Sequence, residues 1–187
     1  MSVPEPVTSG APPRQAAWLA VVVIAGIALY VILDVILQAL PPHYNPISQA
    51  ESDLGVGPYG WVMSINFAVR GLLLVWALGD FLLAVFPTDV PPHRSTLHGA
   101  VHLVVAALIF LAVALGELIL GLAAGRDPRW ASLRPALLAI AALTLLALVI
   151  LTVGPGRAQY FGLLERVFIG LALLWMLVVG VRLTRAR

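Results

Sequence analysis

Residues 135–154 read PALLAIAALTLLALVILTVG, twenty residues without a charge. A bilayer's hydrocarbon core is about 30 Å thick and takes roughly 20 apolar residues in an α-helix, so this run matches one crossing. Lipid offers no partner to backbone N–H and C=O groups, and a Leu/Ala-rich run satisfies them as a helix. The alternating polarity of a membrane β-strand is missing. Four further stretches of similar character lie on either side. AAWLAVVVIAGIALYVILDVILQAL (16–40) is stopped by Pro41-Pro42, and residues 59–86 are ended by Pro87. Residues 97–124 have Ser95 or Thr96 to cap their start and Gly125 beyond their end, and 160–181 run into the basic VRLTRAR. The predicted fold is all-α, a polytopic transmembrane bundle with about five hydrophobic helices.

Composition agrees. Hydrophobic residues make up 61% of the chain and charged residues 11%, where a soluble domain carries about a quarter charged. Cysteine is absent, which removes disulfides, thiolate nucleophiles and cysteine metal sites from consideration. All eleven basic residues are arginine, and a net charge of +2, dispersed along the chain, excludes a nucleic-acid footprint. Residues 1–15 hold four prolines and little that is apolar, so they read as a disordered tail. The apolar run that follows is too long for a signal peptide and lacks a cleavage site. Residues 16–184 then form one transmembrane domain whose partner is the lipid bilayer.

Between the first two apolar stretches lies the longest polar loop. Asn45 can cap a short helix with Pro46 at its first position, Ser48 and Glu51 have capping-box spacing, and Gly55 is placed to end it. A short interfacial helix is expected there.

Arginine placement tests topology, because cytoplasmic loops are enriched in basic residues. Five full crossings with the N-terminus inside leave Arg14, Arg94 and Arg157 inside, against Arg126, Arg129, Arg134, Arg182, Arg185 and Arg187 outside, which is the wrong way round. Reversing the chain mends the count. A better count comes if residues 59–86 enter and leave on one side: seven arginines then lie inside and only Arg94 and Arg157 outside. Twenty-eight residues are too few for two crossings, so this arrangement requires a re-entrant hairpin turning near Gly79-Asp80. In either acceptable arrangement the C-terminus is cytoplasmic and the chain resides in the cytoplasmic membrane.

The motifs YNPISQAESDLGVGPYGWVMSINFAVRG (44–71), FPTDVP (86–91), LHGAVHLVVAAL (97–108) and GLLERVFIGLALLWMLVVGVRL (162–183) resemble, in the same order, those of the bacterial membrane family catalogued as domain of unknown function 998. The resemblance covers about residues 41–184. It implies a membrane location and a fold, and no activity. Family members usually have six spans, with an extra loop and helix between the counterparts of Ala77-Leu78-Gly79 and Phe81-Leu82-Leu83, a piece this chain lacks. Loss of one crossing would reverse the sidedness of everything before it.

Ionisable groups within spans are costly and therefore candidates for function. Asp34 and Arg70 differ in depth by roughly 6 Å and are expected to form a buried charge pair. Asp80 and Glu117 are expected near interfaces. His98 and His102, four apart on a helix, project from one face and can share a metal ion. Gly99 follows His98, so this is not the zinc-protease pattern. Asp89, His93 or Glu165 would complete the ligands, with zinc the ion such a set would take. If 59–86 returns to its starting side, Ser52 and Asp53 join the same face. Together these residues would suit a metal-dependent intramembrane hydrolase of lipid esters or amides, with Ser52, Asp53 and Glu165 as catalytic candidates, metal-bound water as nucleophile and a carboxylate as base. The same residues also have plain structural roles: histidines can cap, Glu165 suits a helix N-terminus, and Ser52-Asp53 can finish the loop helix. Trp18, Trp61, Trp130 and Tyr59 sit near segment ends as interfacial anchors, and Gly71, Gly116 and Gly170 are placed for close helix packing. With no complete catalytic motif, the leading reading is a non-enzymatic membrane module, an accessory subunit or sensor, with the hydrolase as the alternative. Five helices without a repeat give a transporter little support.

Overall fold

A computed structural model describes residues 14–40, 44–71, 83, 85, 86, 88, 89 and 96–185. Helix α1 spans Arg14–Ala39, and a 3-10 turn (Glu51–Gly55) leads into α2 (Gly60–Gly71). Then follow α3 (Leu97–Ala123), a short α4 (Pro128–Ala131), α5 (Arg134–Val153) and α6 (Phe161–Arg185). No strand occurs among the described residues. Four helical stretches are long and apolar enough to cross a membrane: Val21–Ala39, Leu97–Arg126, Arg134–Val153 and Phe161–Arg185.

The chain is therefore a multi-pass helical membrane protein, and four of the five expected stretches hold helices of spanning length and apolarity. In the fifth, 59–86, α2 is described to Gly71, and Leu83 is buried in the core; the turn expected at Gly79-Asp80, and Asp80 itself, lie outside the described residues. Arg14 and Gln15, expected in the disordered tail, already belong to α1, while residues 1–13 lie outside the description.

Helix ends follow their local chemistry. The Thr96 side chain accepts the Gly99 N–H and caps α3. Pro135 lies in the first turn of α5, where a missing N–H costs nothing. Helices α5 and α6 pack along their length, as do α3 with α5 and α1 with α6. Met63, Ala114, Ala141, Phe168 and Ala172 are fully buried between them, and the Phe110 and Phe168 rings stack at 4.4 Å. Leu103, Val104, Leu108, Ile119 and Leu146 remain exposed on the outer faces, as expected where the solvent is lipid. Close helix approach occurs not at Gly116 or Gly170, whose added Cβ would meet nothing within 4 Å, but at Gly121, whose added Cβ would lie 3.0 Å from Leu138 Cδ2 on α5.

Neighbouring spans are antiparallel, which sorts the bundle into two ends. Trp175 Nε1, late in α6, donates to the Leu137 carbonyl early in α5 at 3.2 Å. Leu163, early in α6, donates its N–H to Ile47, beyond the end of α1, at 3.1 Å. The upper end thus holds the end of α1, residues 44–60, the start of α3, the end of α5 and the start of α6. The lower end holds Arg14, Arg126, Arg129, Arg134, Arg182 and Arg185, so the described termini share one end.

Candidate functional site

At the upper end the segment 44–55 folds over α1 and α6 and encloses a polar cluster. Asn45 starts it as the sequence suggests: its side-chain oxygen accepts the Ile47 N–H at 2.9 Å, and its carbonyl accepts the Gln49 N–H at 2.9 Å, a single turn. Glu51 does not complete the expected capping box with Ser48. It turns inward, 2% exposed, because the bundle supplies partners with better geometry than a solvent-exposed serine. Its Oε1 accepts the Tyr30 hydroxyl at 2.7 Å, and its backbone N–H donates to Glu165 Oε2 at 2.5 Å. Glu165 is itself 8% exposed. Sequence separations of 21 and 114 residues are thus bridged by two short bonds.

The neighbouring Arg166 completes the clamp. Its Nη1 donates to the Pro46 carbonyl at 3.2 Å and to the Gln49 carbonyl at 3.4 Å, and its Nη2 donates to the Tyr44 hydroxyl at 2.6 Å. The guanidinium also lies 5.1 Å from the Tyr44 ring centre, within cation–π range. The Tyr44 hydroxyl faces the Gln49 and Ala50 carbonyls at 2.9 and 2.8 Å. Burial, against the opposing pull of Arg166, raises its pKa above the ordinary phenol value, so it stays a donor. Contact at α6 depends on Gly162: a Cβ there would lie 1.9 Å from the Gln49 carbonyl oxygen and 2.9 Å from that of Pro46.

The remaining sequence candidates fall as follows. Ser52 and Asp53 are half-buried on the 3-10 turn. Burial raises the Asp53 pKa, with the Ala50 backbone and Arg166 opposing. Asp34 lies one turn after Tyr30 on the same face of α1 and accepts from Gln38 at 2.5 Å. Its expected partner Arg70 is on α2, which packs on α1, but the Arg70 side chain lies outside the description, as does His93. His102 is buried with Nδ1 2.8 Å from the Phe86 carbonyl, and His98, exposed, meets the Phe86 ring edge-on at 5.5 Å. Asp89 accepts from the Thr96 N–H at 2.7 Å and the Thr96 hydroxyl at 2.8 Å, and lies against Gly99. Its carboxylate secures the start of α3. Among the described residues no group of three or more His, Asp or Glu is gathered to hold a metal.

Glu117, in the last third of α3, is 4% exposed, and neither carboxyl oxygen has a hydrogen-bond partner among the described residues. Tyr30, Tyr44, Glu51 and Arg166 were not read as a site. The available signal was Tyr30 four residues before Asp34, one polar face on an apolar helix.

A family model described as a protein of unknown function (DUF998) matches residues 23–79 and 67–182. The chain belongs to the DUF998 family. In this DUF998 protein the first matched stretch supplies Tyr30, Asp34, Tyr44 and Glu51, and the second supplies Glu165 and Arg166, so the cluster joins both. No curated protein and no solved structure matches the chain.

Proposed function

We propose that this DUF998 protein is a non-catalytic module of the cytoplasmic membrane, and that the segment 44–55 is its sensing element, held at the upper end by the carboxylate cluster. The observation that carries the reading is the Glu51 N–H on the Glu165 carboxylate, both buried. Glu165 accepts from the segment's backbone, and Arg166 donates to its carbonyls and to Tyr44, and so they act as a latch. A latch built from ionisable groups responds to whatever alters their charge, a proton or a competing ion at the membrane face. Arginine enrichment at the lower end supports a cytoplasmic C-terminus and an outward-facing latch.

The cysteine-free chain permits a direct test with Ser52→Cys as a reporter and a membrane-impermeant maleimide on intact cells. Labelling from outside should be slow, and should speed up at least about tenfold when Glu165→Ala removes the acceptor, the equivalent of about 1.4 kcal/mol. Equal labelling rates would refute the latch.

The alternative reading, a metal-dependent hydrolase using Ser52, Asp53, Glu165, Asp89, His98 and His102, has no gathered metal-holding group behind it among the described residues. Zinc analysis of purified protein decides it. About one ion per chain, lost in His98→Ala and His102→Ala, would favour a metal-dependent enzyme.

A further inference from the structure

The opposite end of the bundle has different chemistry. Between the end of α3 and the late turns of α6 lies a cleft of about 270 Å³, lined by Ala124, Asp127, Trp130, Leu137, Trp175 and Val179 among others. Its walls are almost wholly apolar. Trp175 satisfies its own indole N–H on the Leu137 carbonyl, leaving its ring as a hydrophobic wall, and Trp130 is half-buried at the mouth. The volume lies just below the roughly 300–1,000 Å³ typical of pockets that swallow a whole drug-sized ligand. It suits one end of a chain-like molecule whose other end stays outside.

The rim is basic. Arg126, Arg129, Arg134, Arg182 and Arg185 surround this end among the described residues, against the single acid Asp127. That acid is already engaged: Arg129 Nη2 is 2.8 Å from its Oδ2, and Arg129 Nε is 3.1 Å from its Oδ1. Arg182 donates to the Arg129 carbonyl at 2.7 Å, tying α6 to α4 at this end. The Arg134 side chain is held over the turn at Gly125, its Cδ and Nε 2.7 and 2.8 Å from where a Cβ would stand. Arg126 and Arg134 have no carboxylate partner among the described residues. Basic clefts between membrane helices on the cytoplasmic face suit phosphate headgroups.

We infer that this cleft binds an anionic phospholipid of the inner leaflet, with an acyl chain between Trp130 and Trp175 and the headgroup phosphate against Arg126 and Arg134. The site is separate from the latch and rests on the proposed function only for the membrane side it faces.

The experiment uses the full chain in vesicles, with Trp18, Trp61 and Trp76 replaced by phenylalanine so that Trp130 and Trp175 report alone. Lipids with brominated acyl chains quench a nearby indole. Brominated phosphatidylglycerol in a phosphatidylcholine background should quench at a mole fraction about fivefold to 25-fold lower than brominated phosphatidylcholine, since each of the two engaged arginines favours an anionic lipid by up to about fivefold. The double variant Arg126→Gln, Arg134→Gln should bring the two curves together. Ala124→Phe, which fills the cleft, should cut quenching by both lipids. Inorganic phosphate at tens of millimolar should not compete. Equal quenching by the two lipids in the parent protein, a headgroup preference that survives the double variant, or displacement by phosphate alone would each overturn the inference.

Discussion

Replacing Gly162 by alanine adds one carbon to a helix face that has no room for it. The new Cβ would stand 1.9 Å from the Gln49 carbonyl oxygen and 2.8 Å from its carbon, both backbone atoms that no rotamer change can move. The segment 44–55 must lift. Lifting breaks the Leu163 N–H bond to Ile47 and the Arg166 bonds to the Pro46 and Gln49 carbonyls, and pulls Glu51 from Glu165. A neutral bond is worth about 1 kcal/mol net and a charged one about 1.5–3, with a discount for the partly exposed arginine. The sum is roughly 3–4 kcal/mol. Alanine returns about 1 kcal/mol to α6 through helix propensity, so the net weakening is about 2–3 kcal/mol. The two elements respond with opposite signs, and hydrogen exchange in detergent or nanodiscs separates them. The Glu51 amide should exchange about 30- to 150-fold faster, while amides of the next two turns of α6 are unchanged or slower. Gly170→Ala serves as the control, because its Cβ would meet nothing within 4 Å. Unchanged protection at Glu51 in Gly162→Ala would refute the reasoning.

Tyr30→Phe removes the hydroxyl that donates to Glu51 Oε1, and should lower stability in a thermal melt by about 1–3 kcal/mol, the cost of a buried polar group losing a partner. Glu165→Gln, which keeps a carbonyl oxygen to receive the Glu51 N–H, should cost measurably less than Glu165→Ala; equal losses would mean that the acceptor is not what matters. Burial holds the folded Asp53 carboxyl above its ordinary value of 3.8. Its contribution to docking is therefore fully present below that value and fades as pH climbs through the raised one. Asp53→Asn should flatten this part of the pH dependence of Glu51 exchange, and a slope identical to that of the parent would exclude Asp53 as its source. Gly99→Ala would place a Cβ 2.0 Å from Asp89 Oδ2, so Asp89 must leave Thr96; faster exchange at the start of α3, from a cap loss of about 1 kcal/mol, is the expected reading.

The four spans were legible because lipid imposes a length and forbids charge. Residues 97–124 and 135–154 therefore match α3 and α5 to within one residue at each end. The cluster was not legible, because hydropathy says which residues form helices and nothing about which helices touch. Glu51 looked like half of a capping box since its visible neighbours were local, whereas its partners come from α1 and α6. His98 and His102 were correctly placed on one helix, but spacing could not reveal that the Phe86 carbonyl and ring would be their neighbours. The arginine count left two arrangements open, one with the termini on opposite sides and one with both on the same side; the described termini share an end of the bundle.

Gly60 and Leu97 both lie at the upper end. Helices α1 and α3, described on either side of the stretch that joins them, run in opposite directions. The latch above and the arginine collar below are built almost entirely from residues outside it. Relatives could vary this stretch widely and still present the same two faces to the same two compartments.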